Sequence, residues 1–550
     1  MTVQPAAVSR ESLGWWRPDA SPPQVGDSAL REAVLRVTQP FLVLDLEGRP
    51  GVASGGQATL GAGPPASNNA YPIRAIVPAL GPEQLGDPTF RQRHRLRYAC
   101  VAGAMANGIS SEQMVEAMGY AGMIGFFGSA GLPLDRIEQA IDRIQRNLGD
   151  LPYGFNLIHS PSEPDLESAT VDLYLRRSVR LISASAYLNL TVPLVRYRVS
   201  GIHRNHDGRI VTPNKVVAKV SRVEVARRFF SPPPAKFLKQ LAAEGVISAE
   251  QAKLAESIPM AEDLTAEADS GGHTDNRPAI ALLPTMLALR DELADTFAYP
   301  CPLRVGAAGG IATPASAAAA FAMGAAYILT GTINQACTES GTSPAVREML
   351  AQASQADVTM APAADMFEMG VKVQILKRGT MFAQKARKLY ELYRSCDCIE
   401  DIPAAQRRIL EWDYFSCSLE EAWLQTRSYF EKTDPTQIQR AETDAKHKMA
   451  LIFRSYLGRA SQWAIAGDPA RKVDYQIWCG PAMGAFNEWA RGSFLEAPDR
   501  RDVVTIAMNL MTGAAVLTRI GWLRAQGLSL PSKICRFRPM ELSEISALLR

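Results

Sequence analysis

Between residues 96 and 331 short apolar runs alternate with amphipathic stretches. The runs 98–103, 123–128, 154–159, 181–187, 216–220, 264–270, 304–308 and 327–331 predict eight strands, several of them closed on the C-terminal side by Gly or Ser. The intervening stretches read as helices. Ser110-Ser-Glu-Gln113 has capping-box spacing ahead of the apolar positions Met114, Val115 and Met118. Residues 134–148 repeat apolar side chains at helical spacing, and 313–323 is alanine-rich behind a Thr-Pro opening. Eight βα units over roughly 240 residues predict an α/β fold, a TIM (β/α)8 barrel. A doubly wound open sheet is the competing topology; strand number and length favour closure.

The pattern changes outside that region. Residues 1–75 read as an accessory segment, with Phe41–Leu46 as an edge strand and a linker rich in Gly, Ala, Pro and Ser over 48–69. Residues 76–356 form the barrel. Within it, 193–210 has the turn chemistry of a hairpin excursion. Ser231-Pro-Pro-Pro234 precedes two short helices, split at Gly245 and capped at Ser248, inside a helical insertion at about 222–262. From residue 357 the strand signal disappears, and 357–550 reads as a C-terminal helical region whose apolar material includes Trp412, Tyr414, Phe415, Trp423, Phe453 and Tyr456. A further helix is expected over 499–526.

Composition narrows the class. A hydrophobic share of 47% with 21% charged residues is that of an ordinary globular chain, and a net charge of +3 gives no argument for nucleic acid. No apolar run of roughly 18 residues stands out as a membrane span, and no signal peptide is visible, so the expectation is a cytoplasmic protein. The eight cysteines are scattered, with Cys396-Asp-Cys398 as the one close pair; they read as reduced, and no metal site is expected.

Candidate chemistry gathers at the predicted strand ends. Gly271-Gly272-His273, Gly309-Gly310 and Gly331-Thr332 close the sixth, seventh and eighth strands. Paired glycines let backbone N–H groups approach an anion, and barrel phosphate sites recur at the final strands, so these residues predict one shared phosphate site. Taken singly, each is an ordinary βα turn. The first strand ends in Gly103-Ala104-Met105-Ala106, small enough for a flat ring to lie on the backbone or simply for a tight turn. Asn156 places an amide near the third strand's end. Lys219 is a cation inside an apolar strand and needs an anion: either a ring that turns anionic on reduction, such as a flavin, or a core carboxylate such as Asp269 or Glu267. His273, directly after a glycine pair, is the candidate to hold or donate a proton.

Gly103-Ala-Met-Ala-Asn-Gly-Ile109, Gly122-Met-Ile-Gly-Phe-Phe-Gly128, Tyr153-Gly-Phe-Asn156, Glu267-Ala-Asp-Ser-Gly-Gly-His-Thr-Asp-Asn-Arg-Pro278 and Ala307-Ala-Gly-Gly-Ile311 resemble the PfaD-like family. These are trans-acting enoyl reductases of polyketide (trans-AT) and polyunsaturated fatty acid synthases, related to nitronate monooxygenases. The resemblance implies an FMN-carrying barrel and NADPH or NADH as hydride donor. It further implies an enoyl thioester held on the phosphopantetheine arm of an acyl carrier protein within a synthase complex. It places His273 at the flavin face and Gly103, Ala104, Met105, Ala106, Asn156, Lys219, Asp269, Gly271, Gly272, Gly309, Gly310, Gly331 and Thr332 in the cofactor site. Arg176, Arg177, Lys236, Lys377, Arg378 and Lys385 are candidates to meet an acidic carrier, though each could be a solvated surface charge. The C-terminal helical region could shape an acyl pocket or a homodimer interface. The alternatives are a nitronate monooxygenase-like flavin oxidase and a non-catalytic barrel that binds a synthase complex.

Overall fold

The computed structural model describes residues 12–19, 21–61, 63, 69–159 and 164–550. All eight predicted strands form and close into one parallel barrel: Cys100–Ala102 (β1), Ile124–Phe127 (β2), Gly154–Ile158 (β3), Leu181–Ser185 (β4), Lys215–Val220 (β5), Asp263–Glu267 (β6), Arg304–Ala308 (β7) and Ile328–Thr330 (β8). Each pairs with its sequence neighbour, and β8 returns to β1 through Leu329↔Val101. A strand buried on both faces reads as a continuous apolar run rather than an alternating one, as in Ile124-Gly-Phe-Phe127.

The helix after β1, Glu112–Tyr120, is capped by Ser111, which accepts from Met114 N; Ser110 instead donates to the Phe126 carbonyl at 2.7 Å. The cap therefore sits one residue later than the box spacing predicts, because Ser110 is taken by the barrel. The insertion carries Ala235–Ala243 and Ala249–Ala255, the latter capped by Ser248 as expected, with Gln251 completing a capping box, while Val223–Phe230 is the helix of the fifth unit. Residues 193–210 open as a helix, Val192–Val199, and only then form a hairpin of His203–Arg204 with Ile210–Val211.

The amino-terminal end of the barrel is closed by a buried ionic network. His94 Nε2 lies 2.8 Å from Asp263, Arg304 Nε donates to Asp263 at 2.6 Å, and Glu262 accepts from Arg93 at 2.6 Å and Arg198 at 3.1 Å. Burial pushes the Glu262 carboxyl up, but Arg198 and Arg93 outweigh it and hold it at about 2.

Two expectations about the ends of the chain are corrected. Residues 358–376 contain strands, Val358–Pro362 (β9) and Lys372–Leu376 (β10), which pair with each other and, through β10, with the two-residue strand Gly272–His273. That pairing joins positions a hundred residues apart and leaves no local periodic signal. The rest of the stretch is helical, around a core that includes Phe367, Phe382, Leu389, Phe453 and Tyr456.

At the N-terminus the strands run in the order Gln24–Val25, Arg49–Ala53, Phe41–Leu46, Tyr71–Val77, Gly14–Arg17, Gln57–Leu60, an antiparallel sheet. Phe41–Leu46 is thus an interior strand, and the expected linker at 48–69 carries two strands in its described part; residues 62 and 64–68 lie outside the described residues.

The chain divides into two compact units, Met1–Leu85 with Pro314–Ala322 and Thr505–Arg550, and Gly86–Thr313 with Met323–Val504. In the first, the buried Arg519 donates to the carbonyls of Arg36 at 2.7 Å and Gln39 at 2.6 Å, so residues 505–550 group with the N-terminal sheet. Helix Val503–Ala525 is long and apolar enough to cross a membrane, contrary to the expectation of no such run, but 83% of its apolar 18-residue window is buried inside the protein. All eight cysteines are unpaired.

Candidate functional site at the carboxyl rim of the barrel

Parallel pairing brings the ends of β6, β7, β8 and β1 to one rim, with Glu267 opposite Ala308, Ala308 opposite Leu329 and Thr330 opposite Ala102. The three glycine ends there are not equivalent. Gly309 has φ +82°, and a Cβ on it would lie 2.6 Å from the Ala268 carbonyl carbon, so glycine is required by the close passage of the chain. Gly310, also at positive φ, and Gly331 have nothing within 4 Å of the place a Cβ would occupy. Two open backbone positions therefore lie at the ends of adjacent strands, where an anion can meet main-chain N–H groups. A Cβ on Gly271 would instead lie 2.9 Å from Cys479 N, and one on Gly480 would lie 2.8 Å from Gly271 N. At β6 the space is taken by the chain at 478–480, whose Gly480 N donates to Thr332 Oγ1 at 3.4 Å.

Gly103 is held by N–H donation to the Thr330 carbonyl at 2.9 Å and is walled by the Leu329 side chain. Ala104, Met105 and Ala106 follow, half-buried, with the Met105 carbonyl pressed on Gly128. Asn156 is buried and donates to the Ser183 carbonyl and to Ser185 Oγ, both at 2.9 Å. Its amide hydrogens thus bind β3 to β4. Lys219 donates to Glu267 at 2.6 Å, the core-carboxylate alternative, and Ser270 Oγ donates to the same oxygen at 3.2 Å. Asp269 accepts from Asn276 at 2.8 Å and from Gln374 at 2.9 Å.

His273 is half exposed on the edge formed with β10 (His273↔Val373), and its Nε2 lies 3.2 Å from Asp365. Burial pushes the Asp365 carboxyl up, but the hydrogen bond and charge of His273 outweigh it and hold it below the usual range. The residues after His273 form a clamp. Asp275 accepts from Arg222 Nε at 2.9 Å and from Ser221 at 2.6 Å, and the Arg222 hydrogen bond leads in lowering its pKa to about 2. Thr274 Oγ1 accepts from Asn276 N at 3.1 Å, and Gln374 donates to the Ser270 carbonyl at 2.8 Å.

Asp365, Gln374 and the 478–480 segment are site residues that sequence reasoning missed. They lie in a region without a recognisable motif and reach the rim only through β10. Among the basic candidates, Arg177 pairs with Glu138 and Asp142, Arg176 approaches Glu138 at 4.0 Å, Arg378 lies 3.6 Å from Asp357, and Lys385 is bound to Asp474. Lys236 stacks over Phe237, and Lys377 is exposed.

Known proteins share this architecture. Residues 90–391 match the family model of nitronate monooxygenase, and residues 396–475 that of the inserted helical domain of [acyl-carrier-protein] S-malonyltransferase. Polyketide biosynthesis protein PksE of Bacillus subtilis is 46% identical over 445 residues, 81% of this chain and 58% of that protein. A polyunsaturated fatty acid synthase polypeptide of a Thraustochytrium species is 46% identical over 447 residues, 80% of this chain and 30% of that one. The aligned region thus spans only part of these relatives. The crystal structure of the enoyl reductase domain of MlnA, from the macrolactin biosynthesis cluster of Bacillus amyloliquefaciens, superposes with a TM-score of 0.76 at 41% identity, covering 81% of this chain and 99% of that domain.

Proposed function

From the premise that the chain belongs to the PfaD-like enoyl reductases of polyketide and polyunsaturated fatty acid synthases, within the nitronate monooxygenase-like barrels, we propose that it is a trans-acting, FMN-dependent enoyl reductase. Its substrates are α,β-unsaturated thioesters borne on an acyl carrier protein, and its reductant is NADPH or NADH. The observation that carries the reading is the open backbone at Gly310 and Gly331 on adjacent strand ends, which a mononucleotide phosphate fits.

FMN, when bound and reduced by the nicotinamide, supplies a hydride to the β-carbon. The chain's own residues do the rest. Amides at 310 and 331–332 would hold the phosphate, and Gly103 to Ala106 would border the ring. Lys219, held by Glu267 at 2.6 Å, would offset negative charge on that ring. Asn156 fixes the spacing of β3 and β4. His273, whose Nε2 lies 3.2 Å from Asp365, is the group placed to stabilise the developing enolate oxygen or to deliver the α-proton.

The match to nitronate monooxygenase supports a second reading, a flavin oxidase consuming dioxygen. Anaerobic assay separates the two. The reductase oxidises NADPH continuously when crotonyl-pantetheine is added to yellow, FMN-loaded protein. Protein that takes up no FMN, or that oxidises NADPH only with oxygen present, contradicts the reductase.

A further inference from the structure

The helical part of the second unit exposes four large apolar side chains, on three linked segments, that the barrel chemistry does not use. Trp412 is 83% exposed, with Ile409, Val473 and Met381 each about half exposed. Side-chain and backbone bonds gather the three segments that bear them. Lys385 Nζ donates to the Asp413 carbonyl at 2.7 Å and to Asp474 at 2.6 Å. Met381 N donates to the Val473 carbonyl at 2.7 Å, and Arg471 donates to Ser416 Oγ at 2.8 Å. Trp412 adjoins Asp413, Val473 adjoins Asp474, and Met381 precedes Lys385 by one turn. Trp412 rides on a π-helical turn, Leu410–Phe415, a departure from α-geometry that tends to mark functional positions. An apolar patch centred on an exposed tryptophan is uncommon on a surface that meets only water, and tryptophan is enriched among residues that dominate interfaces.

The rim of the patch is positive. Lys377, Arg408 and Lys472 are exposed, flank Met381, Ile409 and Val473 in sequence, and have no ion-pair partner among the described residues. Of the acidic groups nearby, Asp474 is neutralised by Lys385 and Arg471, Asp357 lies 3.6 Å from Arg378, Glu411 accepts from Leu419 N at 3.0 Å, and Asp413 and Glu391 are exposed. The patch is also tied to the proposed site by one strand. β10 pairs with His273 at Val373 and ends at Leu376, immediately before Lys377. At about 3.3 Å per residue, those four steps separate the histidine edge from the patch rim by about 13 Å.

We propose that this face, centred on Trp412 and rimmed by Lys377, Arg408 and Lys472, is where the acidic acyl carrier protein docks; the assignment rests on the carrier-bound substrate proposed above. The apolar centre receives the carrier's exposed apolar residues, and the basic rim meets its acidic helix.

The test uses the full chain and a crotonyl-loaded acyl carrier domain of a polyketide synthase. Binding is followed by calorimetry, which needs no turnover, and KM is measured in parallel for the carrier-bound thioester and for crotonyl-pantetheine. Trp412→Ala and the double variant Lys377→Glu/Lys472→Glu are each expected to raise the dissociation constant and the carrier KM about tenfold or more, the loss of one interface hot spot. kcat and KM for crotonyl-pantetheine should stay within about twofold, because neither variant touches the barrel rim. Carrier binding unchanged in both variants overturns the assignment, as does a wild-type chain that binds no carrier. A Trp412→Ala variant that converts a dimer to a monomer with carrier binding intact overturns it in favour of a second copy on this face. Absence of reduction with either thioester while the variants still lose carrier binding would sink the proposed activity and leave the docking surface standing.

Discussion

His273 and His94 show how differently two histidines can be used. His273 is half exposed and shares a hydrogen bond with Asp365; His94 is sealed against Asp263 beneath the barrel. If His273 serves the reacting atoms, His273→Ala should cut kcat about a hundredfold while FMN stays bound, measured by turnover and by flavin absorbance after gel filtration. Asp365→Asn should lower kcat less, about tenfold, because it weakens the contact that orients the imidazole without removing the ring. Equal loss of flavin and turnover would contradict the role. His94 predicts a stability effect instead. Burial pushes its pKa down and outweighs the upward pull of Asp263, so the folded state favours neutral imidazole. Its contribution is present above the unfolded value of about 6.5 and is lost as pH falls through it, because the unfolded chain then binds the extra proton. The urea midpoint of the wild type should therefore fall between pH 7 and pH 5, and His94→Gln, which keeps a donor for Asp263, should flatten that slope. An unchanged slope would mean that another group sets it.

At the scale of elements, what was legible depended on how local the signal was. β1 to β8 are short, mostly apolar runs, several with glycine or serine at their ends, and each carries its own signature. β9 and β10 do not: besides β9, β10 pairs with Gly272 and His273 far upstream and with 477–479 far downstream. The glycine ends were visible, but the reasons for them were not. Gly309 is dictated by the Ala268 carbonyl and Gly271 by Cys479, both distant in sequence, whereas Gly310 and Gly331 face open space. Ser111 rather than Ser110 caps its helix because a barrel carbonyl claims the other hydroxyl. The distinction among glycines is testable. Gly331→Val should fold, since nothing stands within 4 Å, yet lose FMN by filling the phosphate space. Gly309→Val should instead fail to fold stably, because positive φ and the Ala268 carbonyl both oppose it. The thermal melt and the FMN-to-protein ratio of the two variants decide the point, and full FMN retention in Gly331→Val would remove the phosphate from this rim.

For the whole molecule, charge is close to balanced at +3 over 550 residues, so no global field draws an acidic partner. Any electrostatic preference for a carrier must come from local imbalance, and Lys377, Arg408 and Lys472 supply one where other basic side chains are spent on ion pairs such as Arg177–Asp142, Arg222–Asp275 and Arg227–Glu292. Exposed charges act over about 8–10 Å at physiological salt, so such a rim speeds encounter without binding tightly. KM for a carrier-bound enoyl thioester should therefore rise severalfold between about 0.05 M and 0.5 M salt, while KM for crotonyl-pantetheine, which lacks the carrier, should hardly move. The triple variant Lys377→Gln/Arg408→Gln/Lys472→Gln should abolish that salt dependence and leave the small-thioester kinetics intact. A carrier KM insensitive to salt in the wild type would place recognition in the apolar centre around Trp412 alone, and parallel salt effects on both substrates would trace the dependence to the barrel rim, where Arg222 and Lys219 are held by Asp275 and Glu267.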